Sequence, residues 1–214
     1  KSYAQIKKFE LAHKDFSKAL ELDPEDGMTY GMRGVMQYNR GLFREALSDF
    51  QEAVRFKPHR AHNHVNVGNA YRRLYEFQNA IDAYNKALQI KPNFGKAYIC
   101  RGMSYLGLNE ASLLNQAEKD FTLGIRYDPK SKVSYVFRGK IRLMKNQFDR
   151  AKQDFSSAIK IDSKDPEAFY LRAMAWTAMG LMAEAAEDYR VYLRLNPKSA
   201  NRAKVETFIQ KYSK

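Results

Sequence analysis

Prolines recur along this chain at a fixed distance. Pro24, Pro58 and Pro92 are 34 residues apart, Pro129 follows after 37, and Pro197 after a further 68, with Ser163 at the intervening place. Twelve residues before each of these sites stands an alanine: Ala12, Ala46, Ala80, Ala117, Ala151 and Ala185. Four residues after each alanine comes an aromatic: Phe16, Phe50, Tyr84, Phe121, Phe155 and Tyr189. Gly34, Gly68, Gly102 and Gly139 precede them, with Ala173 in the last copy. Within residues 61–94, Val67, Gly68 and Tyr71 share one helical face, and Ala80, Tyr84, Ala87 and Leu88 share another. Steps of three and four residues mark amphipathic helices. The small residues let two helices approach, the aromatics fill the space beside them, and each proline ends its helix for want of an amide hydrogen. A repeated helix–turn–helix unit cannot bury its apolar face alone, so stacking of neighbours follows.

This pattern resembles the tetratricopeptide repeat family, whose signature runs W-x2-L-G-x2-Y, then A-x3-F, then P. The resemblance covers nearly all 214 residues. It implies an all-α fold, a right-handed superhelical solenoid of helix pairs, and a habit of binding proteins. The expected units are a partial repeat at 1–26, repeats at 27–60, 61–94, 95–131 (three residues longer, near Leu108 to Gln116), 132–165 and 166–199, and a capping helix at 200–214, all in one solenoid domain. Residues 1–8 read as the tail of a first helix, with Tyr3 two periods before Tyr71, and residues 9–22 as its partner helix. A solenoid does not normally open halfway through a helix, so the expectation is a fragment of a longer protein. Gly41, Asn146 and Gly180 fall in turns where a left-handed cap is useful. Val205, Phe208 and Ile209 line one face of the last helix, and Tyr192 stands where other repeats carry a small residue, as a cap would require.

Two kinds of charged residue vary together. Arg33, Arg101, Arg138 and Arg172 precede the small residue of the first helix, and Asp49, Asp120, Asp154 and Asp188 precede the aromatic of the second. The remaining complete repeat has Val67 and Ala83 at these places. Both charges are present or both absent, which predicts a partly buried bidentate pair in each repeat rather than ligand-binding arginines.

The resemblance implies an inner groove lined by first helices. The stripe opposite their core face reads Met28, Met32, Val35 and Asn39; then His62, Asn66, Asn69 and Arg73; then Lys96, Ile99, Cys100 and Met103. It continues with Val136, Phe137, Lys140 and Met144, and with Tyr170, Leu171 and Met174. Apolar side chains dominate both ends, and methionine adapts to varied partners. A groove for an amphipathic helix or extended peptide is expected, with Phe137 as its anchor; the alternative is that other protein covers these residues. A family subtype that grips chaperone carboxylates needs five polar groups. Only Asn66 and Lys96 fit, while Gly31, Val35 and Cys100 occupy the other places.

The formal net charge of +13 keeps helices in solution or steers the chain to an acidic protein surface or a larger assembly. No compact basic run of a nucleic-acid arm is present, and no apolar run long enough to span a membrane. His59, His62 and His64 diverge on a helix and lack a completing acid or cysteine, so neither metal nor cofactor is expected. No nucleophile–base spacing or phosphate loop argues for catalysis. The single cysteine, Cys100, and the absence of a leader pattern suit a reducing, cytoplasmic setting, with cytoskeletal association as a variant. The expectation is a non-enzymatic interaction scaffold. The alternatives are a substrate-docking segment of a larger enzyme, or a brick of a cytoskeletal or ciliary filament held by its basic surface.

Overall fold

The computed structural model describes residues 3–212, with side chains from residue 9 onward. The described residues form twelve α-helices and one short 3-10 turn, and contain no strand. They are α1 (Tyr3–Leu22), α2 (Gly27–Arg40), α3 (Phe43–Phe56), α4 (Ala61–Arg73), α5 (Phe77–Ile90) and α6 (Gly95–Gly107). After the 3-10 turn Ala111–Leu113 come α7 (Leu114–Tyr127), α8 (Lys132–Met144), α9 (Phe148–Ile161), α10 (Pro166–Ala178), α11 (Met182–Leu195) and α12 (Arg202–Tyr212). The chain packs as two compact units, Lys1–Leu113 and Leu114–Lys214. The division falls inside the repeat 95–131, where the three extra residues lengthen the link between α6 and α7 to the turn at Leu108–Glu110 plus the 3-10 segment.

In the first unit, α2 packs on α3 and α4 on α5 as helical hairpins. Asp26 starts α2 by accepting the Met28 N–H at 2.9 Å and the Thr29 hydroxyl at 2.5 Å. Those two bonds, the hydroxyl first, hold its carboxyl below the usual range. Gly41 closes α2 with φ +87°, a left-handed conformation that glycine adopts without strain. At the α4–α5 contact, a Cβ on Gly68 would lie 2.6 Å from Cε1 of the fully buried Tyr84. Only glycine permits that approach. One core cluster joins Tyr84 to Val65, Ala87, Leu88, Ala97 and Cys100, and another joins Phe50 to Ala46, Val67, Ala70 and Ala83.

α1 corrects an expectation. It runs unbroken from Tyr3 to Leu22, so there is no turn near residue 8 dividing a first helix from its partner. The place aligned with Gly41 is Lys7, and no Gly, Asn or Pro interrupts the stretch. The side chain of Tyr3 lies outside the described residues.

The second unit repeats the hairpin as α8–α9 and α10–α11. Phe155 is fully buried among Val136, Ala151, Ala158, Ala168 and Leu171. Ser131 and Asp165 cap α8 and α10, with Pro166 at the first position of α10. α12 lays Val205, buried, and Phe208 and Ile209, half-buried, against α10 and α11. Tyr192 is buried beside them and shares a 2.5 Å hydrogen bond with the Ser199 hydroxyl.

Candidate interaction surfaces

The three charge pairs that lie within one unit form as expected. Arg33 donates from Nε and Nη2 to the two Asp49 oxygens at 2.8 and 2.7 Å. Arg138 does so to Asp154 at 3.1 and 2.7 Å, and Arg172 to Asp188 at 2.7 and 2.7 Å. The Arg33 guanidinium is held above its usual value by the bond to Asp49. Each arginine spends its remaining Nη1 on a side chain sixteen residues earlier, in the preceding second helix: Ser17, Thr122 and Ser156. Arg101 makes the same reach to Asn85 at 2.6 Å. These arginines are therefore struts between repeats. In the second unit Arg142 extends the network, donating to Asp154 at 2.8 Å and to Glu118 at 3.1 Å, and Lys145 donates to Glu118 at 2.6 Å.

The first-helix stripe of the first unit is only partly open. Met28, Met32 and Val35 are 49%, 48% and 42% exposed. With Phe16, Asn63 and Asn66 they border a cavity of about 390 Å³. Asn39, His62 and Lys96 are exposed, Asn66 and Met103 half-buried. Asn69 turns inward and accepts the Tyr84 hydroxyl at 2.9 Å. Arg73 is exposed but lies 4.3 Å from the Phe43 ring centre, a cation–π contact. Ile99 and Cys100, expected on the stripe, are buried instead. Burial pushes the Cys100 thiol up, against the opposing pull of Arg72 and Lys96.

In the second unit Val136 and Leu171 likewise leave the stripe for the core around Phe155. Phe137 is half-buried and stacks on Phe121, ring centres 5.5 Å apart and planes 12° apart. Lys140 Nζ sits 5.3 Å from the Phe137 ring centre and pairs with Glu167 at 2.5 Å. Met144 and Met174 are 67% and 41% exposed. Tyr170 contacts the Tyr189 and Tyr192 rings and borders a cavity of about 370 Å³ with Met174, Lys204 and Phe208.

Sequence reasoning missed Phe16 in the first cavity, and Tyr189, Lys204 and Phe208 in the second, because they come from outside the first helices; Asn63 is on a first helix, α4, but off the stripe of Asn66, Asn69 and Arg73. Asn63 also caps α3, donating to the Ala53 carbonyl at 2.8 Å. Two of the histidines pack within the scaffold: His62 lies against Phe94, and His64 Nε2 bonds the Pro58 carbonyl at 2.8 Å. No described helix is long and apolar enough to cross a membrane.

Family models of the tetratricopeptide repeat match residues 1–61 and 138–200, and residues 61–94. The Hsp70-Hsp90 organising protein of Plasmodium falciparum is 30% identical over 105 residues, 49% of this chain and 40% of that protein. The Protein O-mannosyl-transferase TMTC3 of Homo sapiens is 25% identical over 196 residues, 86% of this chain and 21% of that protein. The chain thus spans 40% or less of the length of these relatives. Among solved structures, YrrB, described as a TPR protein with an unusual peptide-binding site, matches with TM-score 0.72 at 18% identity, over 90% of this chain and 97% of that one. Pseudomonas aeruginosa pilF matches with TM-score 0.78 at 17% identity, over 99% and 91%. At these identities the structural likeness is one of fold.

Proposed function

The chain belongs to the tetratricopeptide repeat family, and we propose that it is a non-catalytic scaffold holding a partner peptide or helix against the open face of its first helices. The family is generally a non-catalytic fold for protein–protein interaction. The observation that carries the finer reading is the α2 stripe. Met28, Met32 and Val35 stay 49%, 48% and 42% exposed on one side of one helix, beside a cavity of about 390 Å³. A run of large apolar side chains left in water favours burial by a partner. Asn66 and Arg60 on the border of that cavity supply polar groups for a peptide backbone or an acidic side chain. The buried, lone Cys100 fits a reducing cytoplasmic setting.

Crosslinking mass spectrometry of the intact protein in cell extract identifies the partner. Met32→Glu is then expected to weaken that partner's binding at least tenfold with the helical signal unchanged. Raising salt from about 0.1 to about 0.5 M should matter little. Unchanged affinity in Met32→Glu removes the groove from this reading. Steep salt sensitivity instead favours a filament component held through its basic surface. A docking segment of a larger enzyme is a second reading, supported by the similarity to part of the O-mannosyl-transferase TMTC3. A catalytic motif elsewhere in the same polypeptide favours it.

A further inference from the structure

The strut arrangement has four parts in three repeats. Arg33, Arg138 and Arg172 each lie over an aromatic three residues earlier, Tyr30, Tyr135 and Phe169, at 5.6, 5.8 and 5.7 Å. Each pairs with an aspartate sixteen residues later and a hydroxyl sixteen residues earlier. The guanidinium thereby fills the space between the two helices of its repeat and the preceding second helix. In residues 61–94 all four places differ: His64 replaces the aromatic, Val67 the arginine, Ala83 the aspartate and Gln51 the hydroxyl. The space is left as a slot of about 300 Å³ between α3, α4 and α5.

Its floor is mainly apolar, and the buried His64 beside it spends Nε2 on the Pro58 carbonyl. Val67 and Ala83 are buried and Val54 half-buried, while Gln51, Asn79, Asp82 and Lys86 at the mouth are exposed. The slot also faces away from the stripe. At 100° per residue, His64, Val67 and Tyr71 lie on the side of α4 opposite Asn66, Asn69 and Arg73.

We propose that this slot is a second binding site, taking one large neutral apolar side chain, of leucine or phenylalanine type, from a partner segment lying across α3 and α5. The chemistry excludes charged occupants. A guanidinium in the filled repeats meets a carboxylate on the second helix, whereas here Ala83 would leave a cation unpaired on an apolar floor. An anion would fare no better. The charges at the mouth, Asp82 and Lys86, are of opposite sign and select neither. Gln51 donates to the Tyr71 oxygen at 3.1 Å, so its carbonyl oxygen is available to a peptide N–H. The volume lies at the small end of ligand-holding cavities, about 300–1,000 Å³, which suits a single side chain.

The test uses amide NMR on the whole chain, titrated with the methylamides of N-acetyl-leucine, N-acetyl-phenylalanine and N-acetyl-arginine. Saturable shifts at Val67 and Ala83 from an apolar probe, and none from the arginine probe, are expected. The double change Val67→Arg/Ala83→Asp rebuilds the strut and should weaken the apolar probe at least tenfold while keeping helix content. Should that pair not fold, Ala83→Met fills the slot from α5 instead. Met32→Glu, on the other face, should leave these shifts unchanged, which separates this site from the stripe. No saturable shift from either apolar probe, a response to arginine alone, or shifts that survive filling of the slot would overturn the proposal.

Discussion

Arg172 and Asp188 share two hydrogen bonds of 2.7 Å, and the third guanidinium nitrogen reaches Ser156 in the preceding repeat at 3.1 Å. One side chain therefore ties two helices of a repeat together and ties that repeat to its neighbour. The aspartate side chain is only 7% exposed, so removing the arginine alone strands a mostly buried charge. Arg172→Val should cost about 2–4 kcal/mol in urea unfolding, between the exposed and buried limits. The double change Arg172→Val/Asp188→Ala copies the natural arrangement of Val67 and Ala83. It should cost less than the sum of the singles by about 1–3 kcal/mol. Strict additivity would show that the two residues are not coupled.

Glu118 gives the second unit an acid-sensitive joint. Burial raises its carboxyl, but hydrogen bonds from Lys145 and Arg142 outweigh that and leave it below the ordinary value of 4.5. A depressed carboxylate stabilises the fold above its unfolded value, and that stability is lost as pH falls through the folded value. At pH 7 Glu118→Gln should be less stable than the natural chain by about 1–2 kcal/mol. The gap should close as pH drops from 4.5 downward, followed by chemical denaturation at several pH values. A gap that stays constant to low pH would mean the ion pairs contribute nothing.

Tyr75 occupies the turn between α4 and α5 with φ +63° and is 80% exposed. Gly41, Asn109, Asn146 and Gly180 hold the matching turns with positive φ. A bulky side chain there carries a steric cost of about 1–2 kcal/mol. Part of it is returned by the edge contact with Phe77, ring centres 6.1 Å apart. Tyr75→Gly should raise stability by about 0.5–1 kcal/mol, read from the denaturation midpoint. A loss of stability would show that the Phe77 contact outweighs the backbone strain.

Phe137 and Met32 should behave differently when changed. Phe137 stacks on the fully buried Phe121, so Phe137→Ala is expected to cost about 2–3 kcal/mol of stability before any effect on a partner. Met32 is 48% exposed, so Met32→Ser should stay within about 0.5 kcal/mol of the natural chain. Thermal melts of the two variants separate packing from binding. Equal melting temperatures would return Phe137 to the role of open anchor.

The 34-residue period was enough to place the helices, because glycine, alanine and aromatic residues at fixed offsets admit one way of nesting two helices. The joint presence of arginine and aspartate was also legible, since a buried charge is retained only with its partner. The left-handed turns at Gly41, Asn146 and Gly180 followed from residue type alone. Even the unbroken α1 had its signal in Lys7, where a turn residue was missing. What only the tertiary structure decided is where the exposed stripe ends. Helical spacing puts Ile99, Val136 and Leu171 on the same side as Met28 and Met174, yet the first three are buried and the last two open. Each first helix packs against its own second helix and against neighbouring repeats as well. The width of its open face is therefore set by helices far away in sequence, and the periodicity of one helix carries no record of them. The slot beside Val67 belongs to the same class: its substitutions are visible in the chain, but an empty space exists only once three helices surround it.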